Sequence, residues 1–335
     1  MIFLEGGSRY TMAGSISRGK INRPTERFPR CHCSTMVELS DGDILAAWYA
    51  GSGEAKADVA VVSSRWDRES GSWGPVEVIS DTPGKPEGNC VLFRSPDGEI
   101  WLIYALMHGK LEGPWGPGVR WVTCDIRMRT SDDDGESWSE PRIIWSELGF
   151  VPKCKPITLD NGDIILGFEE ELGFSKFLIT PDRGERWIMT GPAWGVPNQH
   201  PTIIQRDNGD ILALFRPSLF SRIGRSLSHD RGRSWELVTN TELPNPGAAI
   251  DMVKAGDGRV FLVYNDSFSD RNPLTLAMSE DEGESWAHKR DIGTGEGRFG
   301  YPAIIEDSDG LLHVTYTHSR LHIAHLVIEP DWICG

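Results

Sequence analysis

The 335-residue sequence contains no apolar run approaching the ~18–20 residues of a membrane-spanning helix. No membrane partner is therefore expected. Its first residues, MIFLEGGSRYTMAG, lack a basic stretch followed by an apolar one. No secretory leader is expected, and the cytoplasm is the expected compartment. Cysteine is sparse. The 6 cysteines include no Cys-x-x-Cys pair, which speaks against a disulfide scaffold and a zinc motif and suits a reducing environment. Positive charge is also short: 34 Lys and Arg stand against 49 Asp and Glu, a formal net charge of −15. That balance argues against nucleic acid or an anionic membrane as the main partner. An anionic small substrate would need a local cluster of Arg or Lys. With 39% apolar and 25% charged residues, the chain reads as globular and soluble.

What the sequence has is repetition. The octapeptide SDDDGESW (131–138) returns as SHDRGRSW (228–235) and SEDEGESW (279–286), and more loosely as TPDRGERW (180–187). A degenerate copy, SRWDRESGSW, ends at Trp73. A second repeat is a turn dipeptide between two apolar runs, as in TMVELSDGDILAAWY and PTIIQRDNGDILALFRP. Its glycines are Gly42, Gly98, Gly162, Gly209, Gly258 and Gly310, each roughly 50 residues from the next. Asp-Gly or Asn-Gly between β-rich runs predicts a hairpin, with positive φ expected at both central residues. Six residues after each glycine stands an aromatic: Trp48, Tyr104, Phe168, Phe215, Tyr264 or Tyr316. Each octapeptide falls between hairpins, at the end of a third strand and before a fourth. The unit is four antiparallel strands, a propeller blade. The expectation is an all-β, six-bladed β-propeller in one domain spanning 1–335, with an N-terminal strand closing the last blade.

The octapeptide admits two readings, a ligand loop such as a calcium site or a structural turn. Ser and Asp can bond nearby backbone N–H groups while Gly takes positive φ, and the later Glu of an EF-hand loop is missing. The structural reading is preferred. Turns and octapeptides should share one face of the disc, which leaves chemistry to the opposite face.

The pattern S-x-D-x-G-x-x-W resembles the Asp-box of the sialidase (neuraminidase) superfamily, whose members are six-bladed propellers. The resemblance implies a sialidase-like exo-glycosidase acting on an acidic oligosaccharide or glycoside; no cofactor and no metal are expected. Tyr301, in GRFGYPAII, matches the family's nucleophile; otherwise it fills the axis. Arg216 and Arg271 match two of the three arginines that hold the substrate carboxylate, where bidentate pairing supplies the affinity; otherwise they are solvated or ion-paired. Two family positions are altered. His32 stands where the first arginine is expected, with Arg30 near but off register. Gln199 and His200 stand where the glutamate that activates the tyrosine is expected. The family's acid loop reads GSGEAKADVAVV and offers Glu54, the preferred acid, and Asp58, which otherwise caps a strand. Glu169, Glu170 and Asp266 lie at strand ends where they could bind sugar hydroxyls. Lys153 and Lys155 could add positive charge.

Two other classes stay open. His32, His200 and Tyr301 could perform acid–base chemistry near neutral pH, as a uronate-directed lyase requires. The chain could also be a non-catalytic glycan-binding propeller. Cys31, Cys33, Cys90 and Cys154 cluster near inner-strand starts and with His32 could in principle bind zinc; buried free thiols are the preferred reading. The sequence is silent on oligomeric state.

Overall fold

The computed structural model describes residues 15–335 except 112–117, 120, 148, 171–172 and 220. It is a six-bladed β-propeller of antiparallel sheets. Blade 1 runs Arg30–Glu38, Ile44–Gly51 and Ala60–Asp67, with Ser72–Trp73 and Glu77–Ser80 on its outer edge. Blade 2 runs Glu87–Arg94, Ile100–Met107, Cys124–Ser131 and Arg142–Trp145. In blade 3 the inner strand is split into Phe150–Pro152 and Ile157–Thr158, followed by Ile164–Glu170, Ser175–Thr180 and Ile188–Met189. Blade 4 runs Asn198–Gln205, Ile211–Pro217, Arg222–Ser228 and Thr239–Pro244. Blade 5 runs Asp251–Lys254, Val260–Tyr264, Leu274–Ser279 and His288–Gly293. Blade 6 runs Phe299–Glu306, Leu312–His318 and His322–Ile328, and its outer strand is Ile16–Lys20 from the other end of the chain. The ring thus closes as expected from the sequence. No helix among the described residues is long and apolar enough to cross a membrane.

The turn chemistry differs from the expectation. In each of the six hairpins the glycine alone takes positive φ, between +79° and +92°. Its N–H returns to the carbonyl three residues back, as Gly42 does to Leu39 at 3.1 Å. These are type I turns followed by a left-handed glycine bulge, the three-residue hairpin rather than the two-residue one. The predicted aromatics Trp48, Tyr104, Phe168, Phe215, Tyr264 and Tyr316 are all buried, filling the space between blades.

The octapeptides are structural and lie on the turn face. In the first, Ser131 Oγ accepts from Gly135 N–H (2.8 Å), and Asp133 accepts from the N–H and hydroxyl of Ser137 (2.9 and 2.6 Å). The same bonds recur around Asp230 and Asp281. Each motif also clips its blade to the preceding one. A Cβ added at Gly135 would meet Leu45 of blade 1; at Gly184, Trp101 of blade 2; at Gly232, Ile165 of blade 3; at Gly283, Leu212 of blade 4. The residue before the glycine reaches the preceding hairpin turn: Asp134 binds Ser40, Arg183 binds Asp97 and Arg231 binds Asp160.

On the opposite face the inner strands carry bulges. Register shifts occur between His32 and Thr35, Gly88 and Val91, Gln199 and Thr202, and Gly300 and Ala303. One residue in each bulge is left-handed: Cys33 (φ 56°), Asn89 (46°), His200 (43°) and Tyr301 (53°). Non-glycine residues avoid this region unless the surroundings impose it. A bulge re-aims side chains, and here it gathers them at the axis.

Candidate active site

Tyr301 is the centre of the cluster. Its phenol oxygen accepts from Arg216 Nη1 at 3.2 Å. The Arg271 guanidinium lies 5.5 Å from its ring centroid, and the His32 ring lies 4.1 Å away on another side. Burial pushes the phenol's ionisation up, Cys33 and Glu169 add to that, and Arg216 and Arg271 oppose it.

Both arginines are held by one backbone atom. Arg216 Nε donates to the Gly247 carbonyl at 2.9 Å, and Arg271 Nη2 to the same carbonyl at 3.4 Å. Gly300 leaves room for the Arg271 side chain, since a Cβ there would stand 3.3 Å from Arg271 Cδ. Burial pushes the Arg271 titration down, and the charges of Arg216, Arg298 and Arg320 push it further. Among the described residues neither Arg216 nor Arg271 has a carboxylate within ion-pair distance, whereas Arg298 and Arg320 pair with Asp270 and Glu54.

His200 bridges Arg216 and a carboxylate. Nη1 of Arg216 lies 3.3 Å from His200 Nδ1, and His200 Nε2 lies 2.5 Å from Glu169 Oε2. Arginine can only donate, so Nδ1 accepts and the neutral ring carries its proton on Nε2, facing Glu169. Burial, with Arg216 and Lys153, holds the imidazole neutral against the pull of Glu169. Gln199 donates to Glu169 Oε1 at 2.7 Å. A carboxylate therefore does stand near the tyrosine, separated from it by His200. It comes from the second strand of blade 3 rather than the inner strand of blade 4, where the resemblance put it.

His32 is buried and neutral, its titration pushed well down by burial first and then by Arg320 and Arg271. Nδ1 lies 2.9 Å from the Thr317 hydroxyl, which also accepts from Cys33 N–H. Nε2 is buried without a hydrogen-bond partner.

Two adjoining clefts open onto this cluster. One, of ≈ 180 Å³, is lined by Arg30, His32, Tyr49, Glu54 and Arg320. The other, of ≈ 360 Å³, is lined by His32, Arg271, Arg298, Thr317 and Arg320. Glu54 sits in the first, accepting from Trp121 Nε1 at 3.2 Å and paired with Arg320 Nη1 at 2.6 Å. Arg320 went unnoticed in the sequence. It lies in the turn between the second and third strands of blade 6, where Ser319 (φ 54°) and Arg320 (φ 59°) are both left-handed. With His318 opposite His322 the turn spans residues 319–321 and takes its positive φ without Asn or Gly, so no turn signal marked it.

Four candidates lie apart from the clefts. Asp58 accepts from the N–H and hydroxyl of Ser52 (2.8 and 2.7 Å) and closes the loop bearing Glu54; burial opposes its charge, but the Ser52 bonds hold its titration low. Asp266 faces Lys289 on the outer strand of blade 5, at 3.5 Å. Lys153 is buried beneath the site, donating to the Pro302 carbonyl. Lys155 pairs with buried Asp251 at 3.0 Å. Residues 112–117 and 120, after the second strand of blade 2, and 171–172, after that of blade 3, lie outside the described residues. So does the Glu170 side chain. Burial keeps Cys31 and Cys33 as thiols, at about 11 and about 12. Among the described residues no three His, Cys, Asp or Glu side chains are grouped to hold a metal.

The BNR repeat-like domain family model matches residues 42–314. The chain belongs to the BNR repeat-like domain family. This BNR repeat-like chain is similar to a sialidase of Bacteroides fragilis, 20% identical over 333 residues, covering 88% of the chain and 61% of that relative. The chain thus spans less than two thirds of the relative's length. Among solved structures it is similar to a protein of unknown function from Dyadobacter fermentans, with TM-score 0.78, 16% identity, and 94% and 99% of the two chains covered. It is also similar to the NanB sialidase of Streptococcus pneumoniae (TM-score 0.77, 15% identity, 93% and 70% covered). The intramolecular trans-sialidase of Ruminococcus gnavus, solved with oseltamivir carboxylate, follows at TM-score 0.74 and 13% identity, with 98% and 99% covered. At these identities the likeness shows the fold, a sialidase-like propeller of BNR repeats.

Proposed function

We propose that the protein is an exo-glycosidase that cleaves the glycosidic bond of a sugar bearing a carboxylate, of the sialic or uronic acid type. The observation that carries this is a tyrosine hydroxyl bonded to Arg216, flanked by Arg271, beside a cleft where Glu54 meets Arg320. Guanidinium groups crowded in a chain of net charge −15 fit a substrate that supplies the missing anion.

In this reading the sugar carboxylate draws Arg216, Arg271 and Arg320 to itself. Arg216 then leaves His200 Nδ1 free to take the phenol proton, and Glu169 stabilises the imidazolium that forms. The Tyr301 oxygen attacks the anomeric carbon as the glycosidic C–O bond breaks. Glu54, released by Arg320, takes up a proton from solvent and delivers it to the leaving oxygen. A neutral nucleophile suits this substrate because it does not repel the carboxylate. Water then attacks the anomeric carbon, with Glu54 taking its proton, as the bond to the Tyr301 oxygen breaks and His200 returns the phenol proton. The curated sialidase relative supports this class of chemistry.

One observation favours a second reading. The unpartnered, buried Nε2 of neutral His32 suits a base that removes the proton beside a uronate carboxylate, the step of a lyase.

The test uses fluorogenic α-sialosides and β-glucuronides. Tyr301→Phe and Glu54→Gln are expected to lose on the order of 10²–10⁴-fold in kcat/KM. Arg320→Met should instead raise KM for acidic substrates. Hydrolysis that survives Tyr301→Phe and Glu54→Gln would defeat the assignment. A new ultraviolet-absorbing unsaturated uronate would favour the lyase, and binding without turnover the glycan-binding propeller.

A further inference from the structure

The inner strand of blade 3 is split where those of the other blades run continuously. Lys153, Cys154 and Lys155 occupy the gap and reach across the axis. Cys154 Sγ contacts the Ile250 carbonyl at 3.3 Å, and Lys155 Nζ contacts Asp251 at 3.0 Å and the Met252 carbonyl at 2.9 Å. Lys153 donates to the carbonyl of Pro302, the residue after Tyr301.

The two lysines differ in their counter-charge. Lys155 has Asp251. Lys153 is only 2% exposed and has no carboxylate within ion-pair distance among the described residues. A buried ammonium without a partner loses its hydration uncompensated. Burial indeed opposes its charge, but Cys154, Asp251, Cys33 and Tyr301 outweigh that and carry the titration upward. Cys33 and Cys154 are held as thiols, both at about 12. Of the neutral acids around Lys153, Tyr301 is the one the proposed reaction asks to ionise.

We propose that Lys153 is a positioning residue that acts through Tyr301, a buried cation beneath the site that supports the negative charge formed on the phenol oxygen. The proposal rests on the reading of Tyr301 as the reacting group. It moves Lys153 from a ligand of substrate to the base of the nucleophile. Arg216 bonds the phenol and Arg271 lies over its ring; Lys153 is held at the carbonyl of the next residue and lines neither cleft. The other titratable groups facing Tyr301 are His32, Cys33 and Tyr49 from blade 1, His200 from blade 4, Glu169 from blade 3 and Arg320 from blade 6. Glu169 is engaged by His200 and Gln199, so cations hold the phenolate that it does not contact directly.

The test replaces Tyr301 with 3,5-difluorotyrosine, whose phenol ionises near neutrality, and follows ionisation by fluorine NMR in the full chain. Lys153→Met should lower the ionisation constant about tenfold or more, and Lys153→Arg should restore most of it. A merely structural role would leave the constant within twofold of wild type in folded Lys153→Met, and that result would overturn the proposal. If Lys153→Met does not fold, the reciprocal measurement decides, because linkage requires equal coupling in both directions. Carbon-13 NMR of Lys153 should then show its titration displaced upward when residue 301 is ionised difluorotyrosine rather than phenylalanine, and no displacement would again overturn it. Neither readout needs turnover. A shifted ionisation with no hydrolysis of acidic glycosides would sink the glycosidase reading and leave this role of Lys153 standing.

Discussion

At the scale of single residues, a second buried chain of side chains lies away from the site, between blades 6 and 1. Trp73 Nε1 can only donate, and it lies 3.2 Å from His325 Nδ1. His325 therefore carries its proton on Nε2, which faces His313 Nδ1 at 3.0 Å. His313 in turn gives its Nε2 proton to Asp307 at 3.0 Å. Every group is satisfied only while both rings are neutral. Burial, and then the charge of His313, pushes His325 down to about 3. Below ~6.5 the unfolded chain binds a proton at this residue that the folded chain refuses until about pH 3. Stability from this group is thus complete above ~6.5 and lost as pH falls toward 3. Urea midpoints measured across that window should fall with pH, and the slope should weaken by up to one proton in His325→Phe. An unchanged slope would show that the relay does not govern acid sensitivity. Nothing in the run LHIAHLVIE marked this relay, because Trp73 comes from blade 1 and His313 and Asp307 meet His325 only across the paired strands of blade 6.

At the scale of elements, the octapeptide does two jobs with one glycine. Gly135 takes φ +88° and also presses on Leu45, which a Cβ would approach to 2.8 Å. Gly258, in a hairpin turn, takes φ +92° with nothing within 4 Å of the added atom. Gly258→Ala should therefore cost only the left-handed penalty, about 1–2 kcal/mol. Gly135→Ala should cost about 1–3 kcal/mol more from overpacking. Chemical denaturation of the two variants separates these terms, and equal losses would mean that the motif does not clamp blade to blade. The pattern of Ser, Asp, Gly and Trp was legible in sequence as a turn. Its grip on the preceding blade was not, since Leu45, Trp101, Ile165 and Leu212 carry no motif.

At the scale of the whole molecule, closure depends on a strand far from its partner in sequence. Ile16–Lys20 pairs with His322–Ile328, Ile16 opposite Ile328 and Lys20 opposite Ala324. Removing residues up to Lys20 would bare that strand's hydrogen-bonding edge, and exposed edges invite association. The truncated protein should unfold at lower denaturant and scatter more light at equal concentration. Equal midpoints and scattering would show that blade 6 is complete without it.

Periodicity alone settled the architecture, because a blade's turns, alternating apolar runs and octapeptide are local and recur in fixed order. The resemblance to the Asp-box family also pointed to Tyr301, Arg216, Arg271 and the altered positions His32 and His200, all on the face opposite the turns. Tertiary structure decided the rest. Four inner strands bulge at the positions that meet there, and the bulge sets where each side chain points. Glu169 reaches His200 from the neighbouring blade, and Arg320 enters from a turn with no sequence signal. Lys153 drops below the site because its strand is split. Those contacts join residues that are distant in the chain, and their chemistry depends on burial and on neighbouring charge, neither of which a local pattern encodes.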